Sequence, residues 1–270
     1  MNRTSVSYLA TLTLLLLWLS VQNATAKMFV YVANAGSANI SVLEMKPETG
    51  DLETIGETPS GPMTMHMAVS PDRRFLYASI REEPFTLVSY GVHPDTGKLT
   101  ELSRIAAPDD MAYLSTDRTG RFLLCASYGG GTVAVMSVGP HGILQREPIQ
   151  VKVTSPSAHS ILTDLSNRFA YVPHLAKARI TSFRFDADKG YLSLNNPPFY
   201  CVRDGSGPRH YVFSPDNRFV YLTSELDGLV YVYALNPDTG ILTEIQTISA
   251  LPGDSKLQPS APLPAYGAPG

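Results

Sequence analysis

The sequence repeats a similar pattern about every 47 residues, and this repeat limits the possible folds more than any other feature of the chain. A phenylalanine opens one apolar stretch in each unit. Successive markers stand 46, 47, 47 and 50 residues apart: Phe29, Phe75, Phe122, Phe169 and Phe219. A glycine turn, such as the Pro-Asp-Thr-Gly that ends at Gly97, also recurs once in each unit.

Each unit contains four short segments with the character of β-strands. Ser-Pro-Asp and Pro-Asp-Thr-Gly favour turns, and stretches such as VYVYAL alternate with a period of two. A β-sandwich would also contain short strands, but it would not show this long-period similarity. Four strands per unit are typical of a β-propeller. We therefore predict an all-β protein, a β-propeller with about five four-stranded blades, the first of which begins at its second strand.

The two ends of the chain differ from the repeats. Arg3, an apolar run from Leu9 to Val21 and Ala24-Thr25-Ala26 are typical of a signal peptide over residues 1–26. The run is short for a membrane span, and an uncleaved anchor is the alternative. We expect cleavage after Ala26, export to the periplasm or the cell exterior, and no membrane association afterwards. Residues 27–252 form the propeller domain, and the Pro- and Gly-rich residues 253–270 are predicted to be a disordered tail.

Composition limits the partners and the cofactors. A net charge of -3 gives no reason to expect nucleic acid. Cys125 and Cys201 lie in different repeats and in apolar or aromatic surroundings, so we expect buried free thiols. No spacing of metal-ligating residues matches a common site, and we expect neither a metal nor a cofactor. The glycines after Tyr128 precede a strand rather than a helix, which favours a tight turn over a phosphate-binding loop.

The repeat frame predicts which residues meet at the propeller axis. Equivalent positions in successive blades point to equivalent places around that axis. Ten residues before four of the markers stand Met65, Ala112, His159 and Arg209; six residues after the markers stand Ala35, Arg81, Tyr128, Leu175 and Glu225. The polar members of both sets should form one ring. His210 adjoins Arg209, on the opposite face of its strand if the pairing is regular.

Each of these residues alone also has a structural interpretation. A single histidine near a serine turn is commonly hydrogen-bonded within the fold, Arg209 could join two blades, and Glu225 could be an exposed turn residue. Tyr128 could pack in the core, and Arg81 could be a solvated charge. Their convergence on two equivalent positions of the repeat favours a functional site.

Two segments carry a resemblance to a known family. GPRHYVFSPDNRFVYLTSE and AHSILTDLSNRF, together with the repeated PDTGxL, resemble the seven-bladed lactonase family, from about Met28 to about Pro252. That family includes bacterial 6-phosphogluconolactonase and fungal carboxy-cis,cis-muconate cyclase. The resemblance implies that about five of the seven blades are present. The sequence departs from the family near Leu251, and we expect a truncation or a frame shift there.

The resemblance also implies an activity. In the cyclase branch, residues at the positions of His159, Arg209 and Glu225 are proposed to be catalytic, with a further arginine in a sixth blade. The implied reaction is hydrolysis of a small-molecule sugar lactone in carbohydrate metabolism, unphosphorylated because an exported enzyme would meet such a substrate.

The candidate residues suit the chemistry of lactone hydrolysis. His159 would be the base, titrating near the operating pH, and Glu225 would orient its neighbours or donate a proton. Arg209 and Arg81 would hold an oxyanion or an anionic group, while Tyr128 and His210 would bind substrate. The alternatives are a lactonising cyclase, a binding module without enzymatic activity, and an inactive fragment.

Overall fold

Five antiparallel sheets follow one another along the chain in the computed structural model, which describes residues 27–253. We number these sheets as blades 1 to 5. Blade 1 contains β1 (Met28–Asn34), β2 (Asn39–Met45) and β3 (Leu52–Pro59). Blade 2 contains β4 (Thr64–Val69), β5 (Phe75–Ile80), β6 (Thr86–Val92) and β7 (Leu99–Ala106).

The remaining three blades have the same four-stranded order. Blade 3 contains β8 (Met111–Thr116), β9 (Phe122–Ser127), β10 (Thr132–Val138) and β11 (Leu144–Val153). Blade 4 contains β12 (Leu162–Thr163), β13 (Phe169–His174), β14 (Arg179–Asp186) and β15 (Tyr191–Cys201). Blade 5 contains β16 (Pro208–Phe213), β17 (Phe219–Ser224), β18 (Leu229–Leu235) and β19 (Leu242–Ser249). Two short 3-10 helices are Pro140–Gly142 and Leu175–Lys177.

This architecture confirms the predicted fold class. Each four-stranded sheet is a simple antiparallel meander, and in blades 2 to 5 the marker phenylalanine begins the second strand, while Phe29 is the second residue of β1. Blade 1 has three strands and begins at its second strand, as predicted. The predicted signal peptide, and the predicted tail beyond Gly253, lie outside the described residues. Among residues 27–253 no helix is long and apolar enough to cross a membrane.

The hydrophobic core lies between consecutive blades. Four clusters of buried side chains fill the spaces between blades 1 and 2, 2 and 3, 3 and 4, and 4 and 5. The two markers of the repeat meet in these spaces, because the turn glycine of one blade lies against the marker phenylalanine of the preceding blade. The pairs are Gly97 with Phe29, Gly142 with Phe75, Gly190 with Phe122 and Gly240 with Phe169.

This packing explains why the turn requires glycine. Gly240 has φ +68°, a conformation that L side chains rarely adopt, and the ring of Phe169 fills the place where a Cβ would go. Tyr171 adds a hydrogen bond from its hydroxyl to the Gly240 carbonyl, at 2.7 Å. Gly50 has a similar φ of +76°, but nothing lies within 4 Å of its Cβ position.

Gly240→Ala is therefore expected to destabilise the protein far more than Gly50→Ala. The left-handed backbone costs about 1–2 kcal/mol for alanine at either position. Overpacking against Phe169 adds about 1–3 kcal/mol at residue 240 only. Urea denaturation of the two variants measures this difference. Equal stabilities would contradict the glycine–phenylalanine packing.

Direct hydrogen bonds also join the inner strands of neighbouring blades. Ser115 donates its hydroxyl hydrogen bond to the Ile161 carbonyl at 2.6 Å, and Ser160 donates to the Arg209 carbonyl at 2.9 Å. These bonds hold β8, the segment before β12, and β16 side by side. The inner strands are therefore fixed relative to one another where the sequence predicts the ring of polar side chains.

The pairing of the inner strands is irregular at that same place. The register of β4, β8 and β16 with the second strand of each blade shifts between Thr64 and Met67, between Met111 and Tyr113, and between Pro208 and His210. One extra residue stands in each inner strand, which is the definition of a β-bulge. A bulge turns consecutive side chains toward one side. The prediction that His210 faces away from Arg209 assumed regular pairing, and this condition is not met: both residues line the same cavity.

Two further predictions concern loops and cysteines. The glycines after Tyr128 form the tight turn that joins β9 to β10, as predicted. Both cysteines are free thiols, and Cys125 is buried as expected. The prediction that Cys201 is buried is wrong, because it ends β15, the outermost strand of blade 4, and is exposed.

Candidate functional site

A cavity of about 310 Å³ opens where the inner strands of blades 2 to 5 come together. This volume lies at the lower end of the range for small-molecule sites. All six sequence-predicted site residues line it, with four others: Met65, His66, Arg81, Ala112, Tyr128, His159, Leu175, Arg209, His210 and Glu225. Of the residues ten before or six after a marker phenylalanine that the sequence analysis named, only Ala35 does not line this cavity. The repeat arithmetic therefore identified residues that meet in space.

Aromatic rings form a connected wall of the cavity. The imidazole of His159 lies edge-on to Tyr128 and to His210, with ring centroids 5.5 and 5.0 Å apart. The Nδ1 of His159 is buried and has no hydrogen-bond partner within the described residues. A buried polar atom without a partner is uncommon in folded proteins, so this nitrogen marks His159 as a residue whose setting needs a functional explanation.

Arg209 and Glu225 form an ion pair inside blade 5. The Nε of Arg209 lies 2.6 Å from the Glu225 carboxylate, but its N–H is not aligned to donate a hydrogen bond. The Arg209 side chain is 43% exposed and that of Glu225 is 26% exposed. The pair thus holds a cation at the cavity wall while part of the guanidinium remains open to a ligand.

Arg81 is more strongly engaged. Its Nε and Nη2 donate to the two carboxylate oxygens of Asp110 at 2.5 and 2.7 Å, and both side chains are almost buried. This two-bond geometry fixes the guanidinium and neutralises its charge. Arg81 lines the cavity beside Met65, whose sulfur accepts a contact from Nη1 at 3.6 Å. Arg81 is therefore less free than Arg209 to hold a developing oxyanion.

The histidines of the cavity are held in the neutral form. Burial, followed by the positive charge of Arg209, lowers the pKa of His159 to about 3. The same two causes, in the same order, lower the pKa of His210 to about 4. The prediction that His159 titrates near neutral pH is wrong. Burial of the ring disfavours its charged form, and the positive charge of Arg209 on the neighbouring blade lowers its pKa further.

Two residues of this region escaped the sequence analysis. His66 lines the cavity, and Tyr113 connects its ring to that of His210, with centroids 4.0 Å from His66 and 5.3 Å from His210. Both stand nine residues before their marker phenylalanine, as His210 does. Counting nine as well as ten residues back from each marker phenylalanine would have found them, since the bulge turns the side chains at both positions toward the cavity.

Apolar side chains occupy the remaining frame positions. Met65, Ala112 and Leu175 stand where other blades carry polar groups, and all three line the cavity. The wall therefore combines apolar groups from blades 2, 3 and 4 with imidazoles from blades 2, 4 and 5 and the charged pair of blade 5. Among residues 27–253 no group of three or more His, Cys, Asp or Glu side chains is arranged to hold a metal ion.

The sequence of this chain matches the sequence model of a known protein family. The sequence model described as "Lactonase, 7-bladed beta-propeller" matches residues 25–262. This chain belongs to that lactonase family. The resemblance inferred from the GPRH segment and the repeated turns is thus confirmed, over nearly the whole propeller domain.

Two curated relatives of this lactonase-family chain are both named 6-phosphogluconolactonase. A 6-phosphogluconolactonase of Pectobacterium carotovorum is 36% identical over 223 residues, which are 83% of this chain and 66% of the relative. A 6-phosphogluconolactonase of an Enterobacter strain is 35% identical over 228 residues, which are 84% of this chain and 67% of the relative. The chain spans about two thirds of the length of these relatives.

Solved structures show the same fold. The periplasmic gluconolactonase of Pseudomonas aeruginosa is 26% identical, with a TM-score of 0.74 over 86% of this chain and 70% of that one. A Bacteroides fragilis protein, 23% identical, has a TM-score of 0.77 over 86% of this chain and 70% of that chain. This chain therefore shares its fold with these two proteins over most of its length.

Proposed function

We propose that this chain hydrolyses an unphosphorylated sugar lactone in the cavity between blades 2 and 5. The observation that carries this proposal is the convergence of His159, Arg209 and Glu225 from two blades on one cavity. Membership of the lactonase family and the names of the relatives support the reaction class. A ring-opening hydrolysis needs a proton acceptor, a cation near the carbonyl oxygen and a proton donor, and these three residues supply all of them.

The charge of the cavity supports a neutral substrate. Arg81 is paired with Asp110, and Arg209 is paired with Glu225. His66, His159 and His210 have pKa values of about 3 to 4 and are neutral near pH 7. When Asp110, which pairs with Arg81 but does not line the cavity, is counted with the described lining residues, positive and negative charges balance, and each arginine already has a carboxylate partner. The periplasmic gluconolactonase of Pseudomonas aeruginosa is named for an unphosphorylated lactone, which agrees with this charge balance.

His159 begins the proposed reaction by accepting a proton from water. The water oxygen bonds to the lactone carbonyl carbon as its proton passes to a ring nitrogen of His159, and the carbonyl oxygen becomes an oxyanion. The guanidinium of Arg209 stabilises that oxyanion, because a fixed cation acts most strongly on charge that appears in the transition state. Glu225 holds Arg209 in place through their ion pair.

The second half of the reaction returns the proton. The carbon–oxygen bond of the lactone ring breaks, and the departing alkoxide takes the proton from the His159 imidazolium. The low pKa of His159, about 3, makes its imidazolium a ready donor to an alkoxide, while it also makes the neutral ring a weak base for the first step, which therefore depends on stabilisation of the oxyanion by Arg209. The products are the open hydroxy acid and the enzyme in its starting protonation state.

Two observations support an exported location as part of the proposal. The pattern over residues 1–26 is typical of a signal peptide. A structural neighbour is a periplasmic protein by name. We therefore include export in the proposal, and this location agrees with an unphosphorylated substrate.

Initial-rate hydrolysis of glucono-δ-lactone tests the reaction. A pH indicator follows the acid released, with the spontaneous rate subtracted, and the reaction is run in a dilute buffer near pH 6.5. The proposal expects a rate proportional to protein concentration and saturable with substrate. A rate that never exceeds the spontaneous one would remove lactone hydrolysis as the function.

The depressed pKa of His159 predicts an unusual pH dependence. We expect kcat/KM to stay level between about pH 5 and 7.5, since a base of pKa about 3 remains neutral throughout. An ordinary imidazole would instead give an acid limb near pH 6.5. Such a limb would contradict the buried, cation-flanked setting of His159.

Folding must be followed alongside this pH profile. The folded pKa values of the buried histidines lie below the unfolded value of about 6.5. The stability that comes from their neutral forms is therefore complete above about pH 6.5 and is lost as the pH falls toward 4. Circular dichroism at each pH separates this loss of stability from a loss of catalysis.

A further inference from the structure

His66 accepts a hydrogen bond from the backbone of the next blade. The N–H of Leu114, in β8, donates to Nδ1 of His66 at 3.1 Å. A ring nitrogen that accepts such a bond carries no hydrogen of its own. The imidazole of His66 is therefore neutral, and its single N–H is on Nε2.

The surroundings of His66 favour the same state. Burial, followed by repulsion from His210, lowers the pKa of His66 to about 4. Its ring packs on Tyr113 with centroids 4.0 Å apart, at an angle of 34°. The backbone bond, the ring contact and the neutral charge fix both the orientation and the tautomer of the side chain.

The other neutral donors that line the cavity are Tyr128, His159 and His210. His66 differs from the two other histidines in that a backbone N–H donates to its Nδ1 and so places its own proton on Nε2. His66 lines the cavity from blade 2, whereas His159 and Arg209 line it from blades 4 and 5. Because this donor lies on a different blade from the proposed reacting groups, it is placed to bind a part of the substrate that does not react.

We propose that the Nε2–H of His66 binds a hydroxyl oxygen of the sugar ring and thereby selects polyhydroxylated lactones over simple ones. The identity of the ligand rests on the function proposed above. The donor itself rests on the Leu114 contact and on the position of the ring at the cavity. His66 is in this view a substrate-binding residue and takes no part in proton transfer.

The same contact also has a structural interpretation. The bond from Leu114 joins blades 2 and 3, as Ser115 joins blade 3 to the segment of Ile161. His66→Asn separates the two roles, since the amide oxygen can still accept from the Leu114 N–H while the shorter side chain no longer reaches into the cavity. Ser115→Ala is the matched control, because it removes one inter-blade bond from a residue that does not line the cavity.

The test measures binding, so that it does not depend on turnover. The ligand is 1,5-anhydro-D-glucitol, which carries the ring hydroxyls of gluconolactone but no ester, and tetrahydropyran-2-methanol is the comparison that lacks most of them. Affinities are measured by NMR titration of the full chain. For His66→Asn we expect a three- to tenfold weaker affinity for the first ligand, roughly one lost hydrogen bond, and little change for the second. Ser115→Ala should lower stability and leave both affinities unchanged.

The outcomes separate this inference from the proposed function. Equal affinities of wild type and His66→Asn for anhydroglucitol, or no binding to the wild type, would overturn the role of His66. A selective loss in His66→Asn supports that role even if no lactone is hydrolysed, in which case only the proposed reaction fails. A ¹⁵N spectrum that places the His66 proton on Nδ1 would also overturn the inference.

Discussion

His159→Gln is expected to lower kcat for glucono-δ-lactone by roughly 10²–10⁴-fold, the usual contribution of a positioned acid–base group. Glutamine fills a similar volume and remains polar, but it cannot accept and return a proton near neutral pH. KM should change little, because His159 is proposed to act on water and on the leaving oxygen. The measurement is the initial rate at saturating lactone, corrected for spontaneous opening.

His93→Gln is the matched control for this substitution. His93 is exposed, lies outside the cavity and accepts a hydrogen bond from the Asp95 N–H at 3.3 Å, which glutamine can also accept. We expect its activity and stability to equal those of the wild type. If His159→Gln retained full activity while folding normally, the assignment of His159 as the base would be wrong.

Arg209→Met is expected to lower kcat by roughly 10²–10³-fold, the loss that follows removal of one oxyanion-stabilising donor. Methionine keeps much of the apolar stem of arginine and removes the cation. Because the proposed contact strengthens as the carbonyl oxygen becomes charged, kcat should fall more than KM rises. The kcat of Arg209→Lys should lie between those of the wild type and of Arg209→Met, since lysine keeps the positive charge but lacks the planar guanidinium group.

The carboxylate that Arg209 leaves behind needs its own control. Removing one partner of the pair leaves Glu225 uncompensated inside the cavity, which is unfavourable by itself. The double variant Arg209→Met/Glu225→Gln removes both charges. If this double variant recovered wild-type activity, the loss in Arg209→Met would come from the unpaired carboxylate, and the oxyanion role would be refuted.

The repeat explains why so much of the site could be read from the sequence. Arg209 and Glu225 are 16 residues apart in a single blade, and His159 is in another, yet counting from the marker phenylalanines placed them together. The method works because each blade is one copy of the same four-stranded unit. Equal offsets along the chain therefore become equal positions around the axis.

The features that escaped sequence analysis depend on contacts between blades. The bulges that turn His66 and His210 inward are irregularities of strand pairing, and residue spacing does not reveal them. The low pKa of His159 arises from burial and from Arg209 on the next blade. Cys201 looked apolar in its local sequence, but its exposure is decided by the position of β15 at the outside of the blade.

The neutral charge balance of the cavity is the central claim, and one comparison of substrates tests it most directly. The kcat/KM of the full chain is measured for glucono-δ-lactone and for its 6-phosphate, in the same buffer and at the same ionic strength. The pairing of Arg81 with Asp110 and of Arg209 with Glu225 predicts at least about a tenfold preference for the uncharged lactone. Equal values, a preference for the phosphate, or no hydrolysis of either lactone above the spontaneous rate would contradict the account.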